Sequence, residues 1–146
     1  MDPSFIPDLL SKMSIEEKVG QMTMLSVTSL IEYEALGKPR KPIKIRSDEP
    51  FTKYHIGALL NMPERSISAK EWRVLIQQIQ SKAALNKMKI PVLYGLDSIH
   101  GANYVSGATL FPQPINQAAT FNLELVEEAA KRSAYETRAA GVPLNF

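Results

Sequence analysis

The sequence predicts an α/β protein whose parallel strands are joined by crossover helices. Strand-like and helical patterns alternate along the chain, and each helical stretch between strands is long enough to cross over. Three apolar, β-prone runs at residues 57–62, 92–96 and 142–146 are the candidate strands, with helices expected over 68–87 and 122–140. Periodicity alone does not distinguish the first part of a barrel from a doubly wound sheet.

Three helix starts are predicted from capping residues. Ser14 with Glu17, and Ser68 with Glu71, form capping boxes, in which a serine oxygen and a glutamate satisfy free amides. Asn122 is the expected cap of the third helix. The apolar residues expected along the inner stripes are Val19 and Met22 in the first helix, Trp72, Leu75, Ile76, Ile79 and Ala83 in the second, and Leu123, Val126, Ala130 and Ala134 in the third.

Composition is typical of a globular protein, with 45% hydrophobic and 22% charged residues. The net charge of +2 is too small to indicate nucleic acid or an anionic membrane surface as a partner. No apolar run approaches the roughly 18 residues of a membrane span. The absence of cysteine excludes disulfides and thiolate metal sites within these 146 residues. The N-terminus has no signal-peptide pattern, which leaves localisation open, including a periplasmic or secreted one after signal removal.

Residues 34–53 are rich in basic side chains, with three prolines that are expected to interrupt regular structure. One interpretation is a small α/β domain whose basic loop binds a phosphorylated ligand. Asp48 and Glu49 dilute the charge, and the chain has neither a Gly-x-Gly-x-x-Gly nor a Gly-Lys-Ser/Thr phosphate motif. The favoured interpretation is a solvated loop before the first strand. No cofactor is expected.

The candidate site is the glycine-flanked turn that follows the run at 92–96. Asp97 and His100 leave the carboxyl end of this strand, where α/β folds place ligand-binding groups. Asp97 either caps the turn or binds a ligand, and the local pattern leaves both open. His100 either contacts the ligand or braces the turn, and bracing is favoured. His100 has no second histidine at metal-ligand spacing, so no metal site is predicted.

The segments around this turn resemble a known family. Tyr-Gly-Leu-Asp-Ser-Ile-His-Gly at 94–101 and Gly-Ala-Thr-Leu-Phe-Pro at 107–112 resemble the second-strand signature of glycoside hydrolase family 3, in its β-glucosidase branch. Three further segments resemble the family in the same order, at residues 9–22, 56–60 and 136–146. The likeness covers nearly the whole chain except residues 25–55.

The resemblance implies a (β/α)8 barrel, of which a closed form needs about 250 residues. Residues 1–146 are therefore expected to be the N-terminal portion of the barrel domain, which requires the rest of the barrel and a second domain. The family's nucleophile lies on a later strand in a Ser-Asp-Trp-like context, and its acid/base lies later still. Neither is found here, so no catalytic residue is assigned in this chain and the chain alone is expected to be inactive.

The resemblance also implies a substrate. Asp97 matches the residue that binds hydroxyls at the non-reducing end of the terminal sugar in exo-acting retaining β-glycosidases. The run from Asp97 to Gly101 fits β-glucosidases, which hydrolyse terminal β-D-glucosyl residues of β-glucosides or oligosaccharides, better than the N-acetylglucosaminidase or xylosidase patterns. A non-catalytic carbohydrate-binding relative stays open as an alternative.

Four other residues have competing interpretations. Trp72 is either a sugar-stacking platform or a core residue, and its helical spacing with apolar neighbours favours the core. His55 is expected to be a surface or turn histidine. Glu136 and Arg138 are expected to be structural, bonding to backbone or to each other beneath the strand ends.

Overall fold

The computed structural model describes residues 4–32 and 42–146. Within this part of the chain, the strands are β1 Met24–Ser26, β2 Ala58–Leu60, β3 Ile67–Ser68, β4 Leu93–Leu96, β5 Val105–Ser106 and β6 Leu144–Asn145. The α-helices are α1 Phe5–Lys12, α2 Ile15–Gln21, α3 Glu49–Thr52, α4 Ala69–Ala83, α5 Pro114–Ala118 and α6 Leu123–Ala139. No helix of these described segments is long and apolar enough to cross a membrane.

A four-stranded parallel sheet in the order β1-β2-β4-β6 is the centre of the fold. The three predicted runs are therefore parallel neighbours, as expected. The sheet also holds β1, which was not predicted and makes the run at 57–62 the second strand rather than the first. With three residues, β1 is too short to show an alternating pattern. A separate parallel pair joins β3 to β5.

All three predicted caps are present. The Ser14 amide donates to Glu17 Oε2 at 2.8 Å, and the Glu17 amide donates back to Ser14 Oγ at 3.2 Å. Ser68 and Glu71 repeat this exchange at 2.8 and 3.3 Å. The Asn122 side chain accepts a bond from the backbone amide three residues on, at 3.1 Å. These local interactions fix where the helices begin.

Helix α2 does not pack through the predicted stripe. Val19 and Met22 are 52% and 80% exposed. The helix contacts the rest of the fold at Gly20, where an added Cβ would lie 2.2 Å from the backbone oxygen of Tyr54. Glycine allows the two backbones to approach closely, so backbone contact replaces the expected apolar packing.

Helix α4 covers the outer face of the sheet. Trp72 on α4 and Tyr94 on β4 are fully buried and meet edge to face, with ring centroids 5.6 Å apart at 79°. The Trp72 indole N–H donates to the backbone oxygen of Tyr104 at 3.0 Å. Trp72 is therefore a core residue, as predicted, and no sugar reaches its ring.

Helix α6 lies beside α4 but buries a different face from the predicted one. The Arg73 guanidinium donates to the Ala139 carbonyl at 2.8 Å, which joins the two helices. Of the predicted inner residues, Leu123, Ala130 and Ala134 are exposed and Val126 is half-buried. The residues that are buried instead are Ala129, Ser133, Thr137 and Ala140. The buried face of α6 thus consists of small and hydroxyl-bearing side chains, which are less apolar than the residues predicted to face inward.

Much of the basic stretch lies outside the described residues, since 33–41 include Lys38, Arg40 and Lys41. In the described part, Pro50 lies in the first turn of α3 rather than interrupting regular structure, because proline suits the first turn of a helix. Phe51 in this short helix is buried. His55, which follows it, has a φ of 54° and lies in the loop before β2, half-buried, with its Nδ1 2.8 Å from Asn86 Nδ2.

The two faces of the sheet differ in burial. Val92, Tyr94 and Leu96 face the helices and are at most 4% exposed, as alternation along β4 predicts. On the inner face, Met24 and Leu93 lie in one register row and are 38% and 45% exposed.

Candidate functional site

Polar residues lie at the carboxyl ends of all four strands of the main sheet. Ser26 ends β1, Asn61 follows β2, Asp97 follows β4, and Asn145 ends β6. Because the strands are parallel neighbours, these ends meet at one edge of the sheet. In parallel α/β folds, this edge is the usual place for a binding site.

Asp97 is half-buried and lies directly after Leu96. Among the described residues, no group donates a hydrogen bond to its carboxylate. The turn is closed instead by Asn103, whose amide nitrogen, in the orientation that satisfies its neighbours, lies 3.0 Å from the Asp97 backbone oxygen and 2.9 Å from that of Gly101. Asn103 thus forms the side-chain-to-backbone contacts that a capping role would assign to Asp97.

Ser98 anchors the turn to the rest of the fold. Its backbone amide donates to Asn145 Oδ1 at 2.7 Å, and its hydroxyl lies 2.8 Å from Thr137 Oγ1 on α6. Asn145 Nδ2 also lies 3.4 Å from the Ser98 backbone oxygen. Since Ser98 is buried, its polar atoms depend on these partners. The residue next to Asp97 is therefore tied to both β6 and α6.

His100 joins the turn to the segment ending at Phe111. Its Nδ1 lies 3.2 Å from the Phe111 carbonyl oxygen, and the Phe111 amide donates to the His100 carbonyl at 2.8 Å. A carbonyl oxygen only accepts, so Nδ1 carries the proton when this bond forms. Gly101 has a φ of 101°, and a Cβ there would lie 2.0 Å from the Thr109 oxygen, so only glycine fits.

Glu136 on α6 holds the same segment from below. Its two carboxylate oxygens accept bonds from the Thr109 amide and hydroxyl, at 2.8 and 2.9 Å. Glu136 thus has the backbone partner that the sequence predicts, and that partner is Thr109 rather than Arg138. The segment that contacts His100 is consequently fixed to α6.

Phe146 flanks the turn on the side of β6. Its amide donates to the Leu96 carbonyl at 3.0 Å, and its ring lies over Gly95, where an added Cβ would approach the ring to 2.4 Å. Gly95 thus provides the space that the Phe146 ring fills.

Three residues that build this turn, Asn103, Thr137 and Asn145, were not predicted from the sequence. Asn145 had the same signal as Asp97, a polar residue at the end of an apolar run. Thr137 was overlooked because the inner face of α6 was assigned to other residues. In residues 4–32 and 42–146, no cluster of three or more His, Asp or Glu side chains is arranged to hold a metal ion.

Residues 14–146 match the family model of the glycosyl hydrolase family 3 N terminal domain. This chain belongs to glycosyl hydrolase family 3. The match includes the Asp97 turn, α6 and the strand ends described above. It confirms the family resemblance carried by the sequence motifs.

Two curated relatives of this family 3 chain are β-glucosidases by name. The lysosomal beta glucosidase of Dictyostelium discoideum is 39% identical over 98% of the chain and 18% of its own length. The periplasmic beta-glucosidase of Salmonella typhimurium is 29% identical over 98% of the chain and 16% of its own length. The chain thus spans less than a fifth of either relative.

A solved family 3 structure shares the fold. The β-N-acetylglucosaminidase from Paenibacillus sp. str. FPU-7 superposes with a TM-score of 0.69 at 23% identity, over 92% of this chain and 24% of that one. The N-terminal domain of family 3 is of the TIM-barrel type, which confirms the α/β class with parallel strands.

Proposed function

We propose that this chain is the N-terminal portion of the barrel domain of an exo-acting retaining β-glycosidase of the β-glucosidase type. The observation that carries the proposal is the Asp97 carboxylate, which lies at the carboxyl end of β4 without a hydrogen-bond donor among the described residues. The names of the two curated relatives support glucosyl specificity. The proposed substrates are β-glucosides or oligosaccharides with a terminal β-D-glucosyl residue.

In this proposal, Asp97 binds hydroxyls at the non-reducing end of the terminal sugar. An ionised carboxylate accepts two charge-assisted hydrogen bonds, which matches a pair of adjacent sugar hydroxyls. Alternation along β4 puts Asp97 on the inner face with Leu93 and Gly95, away from the helices. Asp97 is therefore proposed as a binding and specificity residue.

The turn holds Asp97 in position through its neighbours. Ser98 is bonded to Thr137 and Asn145, and His100 is proposed to brace the turn through Phe111. A carboxylate on a fixed backbone loses little conformational freedom when it binds, so more of the interaction energy appears as affinity.

The chemical step is proposed to need residues beyond this chain. Retaining glycosidases use two carboxyl groups about 5–5.5 Å apart, one as nucleophile and one as acid/base. The proposal places both in the rest of the barrel and in a second domain. We expect the 146-residue chain to hydrolyse no aryl β-glucoside, and turnover by the purified chain that disappears in Asp97→Ala would contradict this division.

The role of Asp97 is tested in the complete enzyme by Asp97→Ala and Asp97→Asn. We expect Asp97→Ala to lower kcat/KM by about 10²-fold, or about 3 kcal/mol, the loss typical of a charged hydrogen-bond partner. Asp97→Asn should recover part of this loss, because the amide keeps one acceptor but has no charge. Melting temperatures should stay close to wild type, and Glu124→Ala, at an exposed acid on α6, is the matched control.

Glucosyl specificity needs a separate comparison. Aryl β-glucoside, β-xyloside and β-N-acetylglucosaminide are given to the same enzyme, and we expect the highest kcat/KM with the glucoside. A preference for the N-acetylated substrate would reject the β-glucosidase assignment while leaving the family and the role of Asp97 intact.

A further inference from the structure

Asn61 has an unusual backbone conformation at the same edge of the sheet. It follows β2 directly and has a φ of 68°, in the left-handed region that residues other than glycine rarely adopt. Asparagine tolerates this region better than most residues do, but a cost remains. Such strain persists where surrounding contacts hold the backbone in place.

A buried tyrosine supplies that contact. The Tyr94 hydroxyl donates to the Asn61 backbone oxygen at 2.5 Å. Tyr94 itself is fully buried against Trp72 beneath α4. The turn at Asn61 is therefore anchored in the core, which fixes the direction of its side chain.

The left-handed turn carries the Asn61 amide towards the inner face of the sheet. Its Nδ2 lies a long 3.5 Å from Ser26 Oγ, which in turn lies 2.8 Å from Thr28 Oγ1. Ser26 shares a register row with Leu60 and Gly95, on the same face of the sheet as Asp97. In the described part of the chain, Asn61 Oδ1 accepts no hydrogen bond, and the side chain is exposed.

Register places this amide close to Asp97. Leu60 pairs with Gly95, so Asn61 stands level with Leu96, one residue before Asp97 on the adjacent strand. Neighbouring strands are about 4.8 Å apart, a spacing that the hydroxyls of one hexose ring can bridge. A sugar held by Asp97 therefore lies within reach of the Asn61 amide.

We propose that Asn61, supported by Ser26, is a second sugar-binding residue that contacts the same terminal sugar as Asp97. The inference rests on the proposed role of Asp97. A primary amide offers a donor and an acceptor together, which suits hydroxyls that both donate and accept. The strained turn then serves to present this amide at the inner edge of the sheet.

Two substitutions separate this role from a purely structural one. Asn61→Gly removes the amide but adopts a φ of 68° without strain, whereas Asn61→Ala removes the amide and keeps the strain. In the complete enzyme, we expect both variants to lower kcat/KM for an aryl β-glucoside by about tenfold, typical of one lost hydrogen bond in a site. Only Asn61→Ala should also lower the melting temperature.

Ser26→Ala is a second test that leaves the backbone of Asn61 unchanged. It removes the hydroxyl that faces the amide, and we expect a smaller fall of about threefold in kcat/KM. This variant keeps the proposal testable if the Asn61 variants fold poorly. Wild-type kcat/KM in Ser26→Ala and in every folded Asn61 variant would overturn it.

Asp97→Ala, measured in parallel, distinguishes the two proposals. If Asp97→Ala loses activity while Asn61→Gly matches wild type, the inference about Asn61 is wrong and the role of Asp97 stands. If Asp97→Ala has wild-type kinetics, the proposed sugar-binding role of Asp97 is wrong, and the inference about Asn61 is wrong with it. A fall in kcat/KM in both variants, with unchanged melting in Asn61→Gly, supports both.

Discussion

The outer face of the central sheet is closed by helices, whereas its inner face is covered where the Phe146 ring lies over Gly95 and exposed at Met24 and Leu93. On β4, Tyr94 and Leu96 point outward and are fully buried, while Leu93 on the other face is 45% exposed. The same strand therefore carries two core residues on one face and an exposed leucine on the other. The core that positions the site is on the helical side, and the groups available to a ligand are on the inner side and at the carboxyl edge.

This difference separates residues that hold the fold from residues that recognise a ligand. Tyr94 and Ser98 have polar atoms bonded within the protein, whereas no described residue donates a hydrogen bond to the Asp97 carboxylate or to Asn61 Oδ1. We therefore expect outer-face substitutions to change the free energy of unfolding, and substitutions at Asp97 and Asn61 to change kinetics.

The largest expected effect is Trp72→Ala, on the outer face. Removing this fully buried ring leaves a cavity against Tyr94 and breaks the bond to the Tyr104 carbonyl. We expect a loss of about 3–5 kcal/mol in the free energy of unfolding, measured by urea denaturation. Val74→Ala, at a half-exposed position of the same helix, is the control and should change it by less than about 1 kcal/mol.

Two leucines on β4 test the two faces directly. In the 146-residue chain, Leu96→Ala should lower the free energy of unfolding by about 2–5 kcal/mol, because Leu96 is fully buried beneath the helices. Leu93→Ala should cost less than about 1 kcal/mol, because its side chain is exposed on the inner face. Equal losses would contradict the difference between the faces. In the complete enzyme we expect the losses to become more similar, since further strands would cover Leu93.

The anchor of the Asp97 turn is tested by Asn145→Ala. This change leaves the buried Ser98 amide without its 2.7 Å partner, which should cost about 1–3 kcal/mol of stability. It should also raise KM, because Asp97 would no longer be held in position. Thr137→Val removes only a hydroxyl contact with Ser98, and a loss larger than that of Asn145→Ala would assign the anchor to α6 instead.

The smallest expected effect at neutral pH is Tyr94→Phe, which removes the bond to the Asn61 carbonyl and should cost about 1 kcal/mol. Burial raises the pKa of the Tyr94 hydroxyl above its usual value. The folded state therefore favours the neutral phenol, and this contribution to stability is present below about pH 10 and falls as the pH rises further. Between pH 8 and 11, the free energy of unfolding should fall less steeply with rising pH for Tyr94→Phe than for wild type.

Features encoded by neighbouring residues were predicted from the sequence. The capping boxes at Ser14 and Ser68 depend on residues three apart, and the buried face of β4 follows from simple alternation. The position of Asp97 also follows from local order, since it ends an apolar run before a glycine-flanked turn. Family motifs added the barrel type, whereas the type of ligand stays a proposal.

Features that depend on distant contacts were not predicted. Strand β1 is defined by pairing with β2 more than 30 residues away, and three residues carry too little pattern by themselves. The buried face of α6 is set by Ser98 and Thr109, which select Thr137 and Glu136 rather than the more apolar stripe. The roles of Asn103 and Asn145 likewise appear only when the turn is folded.

The most direct test of the site is the hydroxyl preference of Asp97. The complete enzyme and its Asp97→Ala variant are each given an aryl β-glucoside and its 4-deoxy analogue, and kcat/KM is measured for all four pairs. We expect wild type to prefer the glucoside by about 10²-fold or more, and Asp97→Ala to lose nearly all of that preference with unchanged melting. A variant that keeps the preference, or that melts early yet turns over normally once folded, would contradict the binding role of Asp97.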